Sequence, residues 1–436
     1  MSEPAPDAAD LIAARPCLSR HAMDGLLMEG VPLAAVVAAF GTPTWVYSAG
    51  TLRTRYRMLA AAMPGIGIHY AVKANDHLAL LAVLAAEGAG ADVVSIGEFH
   101  RATQAGIPAH QIVFSGVGKT GEELEAALAS GVGQINVESA EELALLSTVA
   151  NGTGRTARVA LRVNPDVDAG THDKIATGRA GDKFGIPHAD IAALYAEAAA
   201  LPGISLAGLA VHIGSQIFAS APFRAAYARL AALVRELRAD GYNVEAVDCG
   251  GGLGVPYQDE SAALPEAWAG AIRAELGDLG VSLAIEPGRW LVAPAGVLLA
   301  RVIRTRRLHM PRPLLVLDAA MNDLVRPAMY GAWHGIVPVC TTALAAPTEP
   351  CDIAGPVCES SDFFARHRNM PPLSDGSFVA ILDAGAYGAV MSSTYNARPL
   401  AAHVIVDGAD MALIRPRQDM AALWEKDIVP SWIAHD

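Results

Sequence analysis

The sequence predicts an α/β protein in which a (β/α)8 TIM-like barrel is joined to a second, mainly antiparallel β domain. Three observations predict it. Eight apolar or β-branched runs, each closing on a polar residue or glycine, alternate with Ala/Leu/Glu-rich stretches of helical spacing over the first two thirds of the chain. After Pro294 the alternation stops, and β-rich segments follow without regular helices. The 436 residues leave room for two or three domains at roughly 150 residues each. The expected division is an N-terminal tail and a segment packing on the β domain (1–38), the barrel (39–290) and the C-terminal β domain (291–436).

Taken in order, the barrel strands are predicted at 66–75, 91–95, 111–116, 134–139, 157–164, 205–214, 244–250 and 282–286. Each is a short run of mainly apolar or β-branched residues that ends in a polar residue or glycine. Helices are predicted between them at 77–87, 121–128, 140–148, 191–200 and 222–239, where apolar residues recur three and four apart. The β domain is predicted to use strands at 297–303, 314–318, 337–341, 378–383, 403–406 and 411–415. Pro-rich stretches at 347–350 and 371–377 are predicted surface loops, and residues 1–9 a loose tail.

Composition excludes several classes of function. With 52% hydrophobic and 18% charged residues the chain is neither disordered nor fibrous. The net charge is −13, and the only arginine cluster, 301–312, is short, so no nucleic-acid partner is expected. Five cysteines with no C-x-x-C pair and no zinc-ligand spacing imply a reducing, cytoplasmic setting and no metal. Glu3, Asp7 and Asp10 interrupt the first residues, so no secretory or transit signal is expected. The longest uncharged stretch, 30–52, is broken by Gly41 and Pro43, and no membrane role is expected.

A barrel carries its chemistry at the C-terminal ends of its strands. Those ends read Lys73 and Asn75, Asp92 and Ser95, Ser115, Glu138 and Ser139, Arg162 and Asn164, His212 and Ser215, Gly250–Gly252, then Glu286 and Arg289. Lys73 closes an apolar strand. Burial there lowers an amine's pKa and suits it to condensing with a carbonyl compound, while pairing with a carboxylate at the barrel mouth is the alternative. The run Cys249-Gly250-Gly251-Gly252-Leu253-Gly254 fits neither G-x-G-x-x-G nor a P-loop; a phosphate cup and a plain tight turn both remain open. Glu286 and Arg289 offer a carboxylate and a guanidinium, or a surface ion pair. His212 is a site imidazole or a satisfied structural one, and Cys358 a reactive thiol or an inert one.

Thirteen segments stand in one order along the chain: HYAVKAN, GADVVSIGE, VFSGVGKT, NVES, LRVNPDVDAGTH, KFGI, HIGSQI, CGGGLG, EPGR, DAAMNDLVRPAMY, GPVCESSD, DAGAYG and YNARP. In this order and spacing the chain resembles the diaminopimelate decarboxylases, pyridoxal-phosphate enzymes of the alanine-racemase-like, fold-type III class, over nearly its whole length. The resemblance implies that Lys73 covalently holds pyridoxal 5'-phosphate and that His212 lies against the cofactor ring. It implies a phosphate site from Ser215, Gly251, Gly252, the loop Glu286, Pro287, Gly288 and Arg289, and Tyr387, with Glu286 facing the ring nitrogen. Substrate residues by the same resemblance are Arg289, Arg326, Tyr330, Glu359 and Tyr387. Arginines match a carboxylate's planar fork, and Glu359 supplies the counter-charge for a distal ammonium.

The implied reaction is decarboxylation of meso-2,6-diaminopimelate at its D-centre to L-lysine and CO2, the last step of lysine biosynthesis, with Cys358 returning a proton. The implied assembly is a homodimer in which Cys358 and Glu359 reach the neighbouring subunit's site. Trp290 and Ala397 depart from the family's usual residues without touching a named ligand. The rivals are a sister decarboxylase acting on ornithine, lysine, arginine or a carrier-bound amino acid, an alanine racemase, and a non-catalytic homologue. Arg326 with Glu359 argues against the first, and the intact cofactor residues argue against the last. The loop 166–183, long for a barrel connection, carries His172, Asp173 and Lys174 and is expected to close as a lid.

Overall fold

Eight short parallel strands, mostly buried, alternate with helices along the chain and close on themselves. The computed structural model of the chain describes residues 6–170, 177–179, 181–307, 312–344 and 346–433. The strands are β1 (Gly67–Ala71), β2 (Gly90–Val93), β3 (Ile112–Phe114), β4 (Gln134–Val137), β5 (Ala157–Asn164), β6 (Ile204–Val211), β7 (Ala246–Asp248) and β8 (Ser282–Ile285). They pair in chain order, and β8 returns to β1 through Ala284 opposite Gly67 and Ile285 opposite Ile68. Each lies within or against one predicted run. The five predicted helices fall on Leu78–Ala86, Gly121–Ala129, Ala140–Gly152, Ile191–Ala200 and Ser220–Ala239.

Two polar strand ends serve the next helix. The Ser95 hydroxyl accepts from the Glu98 N–H at 3.2 Å, and the Ser139 hydroxyl from the Glu142 N–H at 3.1 Å. Each satisfies a donor that the first helical turn leaves orphaned, worth about 1 kcal/mol.

The outer layer is tied to the β7 end by one aromatic cluster. Trp268, 1% exposed, donates its indole N–H to the Tyr227 hydroxyl at 2.8 Å, and that hydroxyl donates to the Cys249 carbonyl at 3.1 Å. Phe223 packs 5.5 Å from the Trp268 ring. Trp268→Ala is expected to destabilise the protein by about 3–5 kcal/mol through cavity formation. Trp268→Phe should cost only about 1 kcal/mol for the lost hydrogen bond. Urea titrations of the two variants check the difference; equal losses would mean the cavity is not the larger effect.

The chain divides into two compact units, one of Leu52–Pro256 and Glu260–Ala293, the other of the described residues before Leu52, Tyr257–Asp259, and those from Pro294 on. The second unit is built on a nine-stranded mixed sheet. Its path runs Phe363–Met370, Glu349–Ala354, Leu314–Leu317, Gly296–Arg306, Thr44–Ser48, Ala402–Asp407 and Asp410–Arg415, with Phe378–Ile381 and then Ile336–Pro338 branching from Gly296–Arg306. All its pairings are antiparallel except Leu314–Leu317 with Glu349–Ala354 and Ala402–Asp407 with Thr44–Ser48. Its core joins Leu11, Leu26, Met28, Val46, Leu299, Val337, Leu382 and Val404.

Several expectations need correction. Residues 6–9 are not all loose, since a helix begins at Ala8 with the Asp7 carboxylate accepting from the Ala9 and Asp10 N–H groups. Residues 1–5 lie outside the described residues. The predicted loop at 347–350 ends inside the strand Glu349–Ala354, and a short helix, Arg326–Tyr330, interrupts the β-rich region. Among the described residues no helix is long and apolar enough to cross a membrane.

Candidate active site

Lys73 sits in the tight turn Val72–Ala74 just beyond β1, and its Nζ lies 2.8 Å from the Asp92 carboxylate at the end of β2. The lysine side chain is 33% exposed whereas Asp92 is wholly buried, so the amine faces a cavity and the carboxylate does not. The second Asp92 oxygen, Oδ1, has no hydrogen-bond partner. A cavity of about 360 Å³ opens here, lined by Lys73, Ser115, Asn136, Arg162, Thr177, His212 and Glu286 among others. Apart from Thr177, in the connection after β5, these residues stand on or just beyond different strands brought together by closure of the barrel, which is why they are far apart in sequence.

His212 follows β6, and its Nδ1 accepts the Gly251 N–H at 3.1 Å. Burial, with Lys73 and Arg162 adding positive charge, pushes the imidazole well below its ordinary pKa, so it is neutral. The glycines beyond β7 are required by close backbone approach. A Cβ on Gly251 would stand 2.2 Å from the Glu286 carbonyl oxygen, and one on Gly252, whose φ is +117°, 2.6 Å from the Gly214 oxygen. Arg289 is buried and points Nε and one Nη at the Ser215 hydroxyl, both at 3.2 Å. The loop between them is stitched to β1 where the Pro287 carbonyl accepts the Ala71 N–H at 3.1 Å.

Below the mouth the lumen holds an acidic group. Burial pushes the Glu286 carboxyl well above the ordinary carboxylate range, and Asp248 and Asp92 push it further. Asn136 bridges the group, donating to Asp248 at 3.1 Å, to Ser115 at 3.2 Å and, more weakly, to Glu286 at 3.4 Å. On the opposite wall Arg162 donates to Glu138 at 2.6 Å, and Glu138 also accepts from Gly116 and Gly185 backbone N–H groups. Glu286 and Arg289 are therefore buried residues with separate partners rather than a surface ion pair.

The model of the pyridoxal-dependent decarboxylase family, pyridoxal binding domain, matches residues 49–293. The chain is 47% identical to the diaminopimelate decarboxylase of Zymomonas mobilis, over 94% of this chain and 98% of that one. The chain belongs to the diaminopimelate decarboxylase family. Among solved structures, the diaminopimelate decarboxylase of Helicobacter pylori complexed with L-lysine superposes with a TM-score of 0.87 at 35% identity, over 90% of this chain and 98% of that one. That of M. jannaschii in co-complex with L-lysine superposes at 0.91 and 35% identity, over 96% and 99%. The chain is accordingly a carboxy-lyase whose cofactor is pyridoxal 5'-phosphate.

The residues present fit that cofactor. An amine faces a cavity above an orphaned carboxylate oxygen, a glycine turn that no side chain fits lies beside a buried arginine and a serine hydroxyl, and a buried carboxyl of raised pKa stands ready for a basic nitrogen. Asn136 and Asp248 were not among the residues sequence reasoning singled out. Their signal was slight: Asn136 lies inside β4 between Ile135 and Val137, and Asp248 closes β7 after Val247.

In the second unit the helix Arg326–Tyr330 places those two side chains four residues apart on one face. Arg326 is buried and bonds the His334 ring at 2.8 Å. Cys358 and Glu359 are exposed on one loop; the Cys358 N–H donates to Asn396 at 3.0 Å, and Glu359 accepts from the Tyr395 hydroxyl at 2.7 Å. Tyr387 is half-buried with φ +53°. His172, Asp173 and Lys174, on which the expected lid rested, lie outside the described residues.

Proposed function

We propose that the chain decarboxylates meso-2,6-diaminopimelate at its D-centre, giving L-lysine and CO2 and closing lysine biosynthesis in the cytoplasm. The observation that carries this is a barrel cavity into which Lys73, His212 and a raised-pKa Glu286 all open. Pyridoxal phosphate, when bound, supplies the sink for the electron pair left as CO2 departs. Lys73 would hold the cofactor, with the Asp92 carboxylate positioned beside its amine. His212, kept neutral and fixed by the Gly251 N–H, covers the ring face. Arg289, Ser215, Gly252 and the Pro287–Gly288 backbone take the phosphate together with Tyr387, and Glu286 keeps a proton at the ring nitrogen.

Arg326, Tyr330, Glu359 and Tyr387 hold the distal end of the substrate, with Arg289 at hand for a carboxylate. Pairing a carboxylate and an ammonium together rejects ornithine and lysine, which lack the distal acid, because the groups built for it are left unpaired. Cys358 returns a proton to the carbon that lost CO2. We further propose that the enzyme is a homodimer with shared sites, Cys358 and Glu359 being supplied by the partner subunit; both are exposed on the surface of their own chain.

Mass spectrometry of products from meso-diaminopimelate, ornithine and lysine tests the reaction. L-lysine from diaminopimelate alone, dependent on added cofactor, is expected; putrescine or cadaverine would transfer the chain to a sister activity, and no product would indicate a non-catalytic homologue. Cys358→Ala is expected to slow turnover by about 10²–10⁴-fold, the usual worth of a positioned proton donor. Mixing that variant with a Lys73→Ala variant should restore activity. Failure of the mixture under conditions that exchange subunits would remove the shared-site assignment.

A further inference from the structure

His334 is a wholly buried imidazole that sequence reasoning did not single out, and both its ring nitrogens are engaged. Nε2 lies 2.8 Å from Arg326 Nη1, and Nδ1 lies 2.8 Å from the Leu382 carbonyl oxygen. A guanidinium can only donate and a carbonyl can only accept. The two contacts together therefore fix the tautomer: Nδ1 carries the proton, Nε2 accepts, and the ring is neutral. The Leu382 backbone that receives this bond is held in turn, its N–H donating to the Gly335 carbonyl at 2.8 Å.

The same arginine is held from a second direction. Its Cζ lies 4.6 Å from the centre of the Tyr257 ring, and Tyr257 meets the His334 ring edge-on at 5.2 Å and 78°. Tyr257 is itself anchored, since its carbonyl accepts from Arg15, whose Nε donates to Asp383 at 2.7 Å. One aromatic face and one imidazole nitrogen thus define both the plane and the in-plane rotation of the guanidinium. An arginine recognises a carboxylate through a rigid fork, so its orientation sets the affinity, and ordering it in advance removes that cost from binding.

We propose that His334 is a positioning residue for substrate recognition, acting as the neutral acceptor that orients Arg326 toward the distal carboxylate of the substrate. This rests on the reading that Arg326 binds that carboxylate. His334 touches neither the reacting carbon nor the cofactor in this role, so its loss weakens binding more than chemistry.

The test uses purified holoenzyme of three variants with meso-diaminopimelate. His334→Asn retains a donor for the Leu382 carbonyl but is too short to reach Arg326, and is expected to raise KM about 10–100-fold with kcat within about threefold. His334→Gln carries its amide oxygen toward the Nε2 position and is expected to recover most of that loss, which a purely packing role would not allow. Melting temperature and cofactor absorbance are read alongside. Wild-type KM in both histidine variants overturns the proposal. So does a parallel loss of kcat and melting temperature in both, or failure of both to fold, since either assigns His334 to the core alone. Arg326→Gln separates the two levels: unchanged KM in that variant refutes the carboxylate reading itself, whereas a raised KM there beside normal histidine variants refutes only the role of His334.

Discussion

Lys73→Ala is expected to lower turnover by about 10³-fold or more, the scale on which removing a covalent catalytic group acts. The side chain is the only amine lining the barrel cavity among its described residues, and its neighbour Asp92 is wholly buried. Removing the lysine has a structural effect as well, because it strands a buried carboxylate that already has one oxygen without a partner. About 1–3 kcal/mol of stability goes with it. Lys73→Arg separates the two effects. A guanidinium keeps a cation beside Asp92, so stability should return, but it does not condense with an aldehyde at neutral pH, so turnover should stay at the level of the alanine variant. Borohydride treatment followed by peptide mass mapping gives the second readout. The wild-type peptide containing Lys73 gains the mass of the reduced cofactor, and neither variant does. Turnover surviving in the arginine variant would remove Lys73 from its role.

The barrel was legible because its strands obey a local rule. A strand buried on both faces is a continuous apolar run, and the polar residue that ends it is visible without knowing what the strand pairs with. The second sheet does not offer that signal. Phe363–Met370 carries Arg366, His367 and Asn369 on an open face and a buried Arg368 bonded to the His334 carbonyl, and its composition resembles a loop. Thr44–Ser48 is apolar enough, yet its partners Gly296–Arg306 and Ala402–Asp407 lie some hundreds of residues further on, so only the fold reveals it as a member of that sheet. The site divides in the same way. Lys73, His212 and Glu286 stand at strand ends and were found there, whereas Ser95 and Ser139 stand at the same kind of position and cap helices instead. Asn136, Asp248 and His334 owe their importance to neighbours that only the fold brings to them.

Glu286→Gln is expected to lower kcat by about 10²–10³-fold, the loss found when one preorganised charge is removed from a reacting centre. It should also change how the cofactor-free protein responds to pH. Burial, then Asp248 and Asp92, raises the Glu286 carboxyl well above its ordinary value. Between the unfolded pKa of about 4.3 and the raised native one, the folded chain binds more protons than the unfolded chain. Stability contributed by this group is therefore present below the unfolded pKa and is lost as pH rises through that window. Glutamine cannot titrate, so the variant's melting temperature should fall less over the same interval. The holoenzyme behaves differently, since a protonated ring nitrogen gives the carboxylate its counter-charge and removes the reason for the shift. Cofactor should thus stabilise the wild-type protein increasingly as pH rises, and the glutamine variant by a nearly constant amount. Thermal melts of both proteins from about pH 4.5 to 8, with and without cofactor, measure each of these slopes. Equal slopes would mean that Glu286 is not the group behind this pH dependence. Unchanged kcat in the same variant would mean that the ring nitrogen takes its proton from elsewhere in the lumen, where Asp248, held by Asn136 and the Gly250 N–H, is the next carboxyl in line.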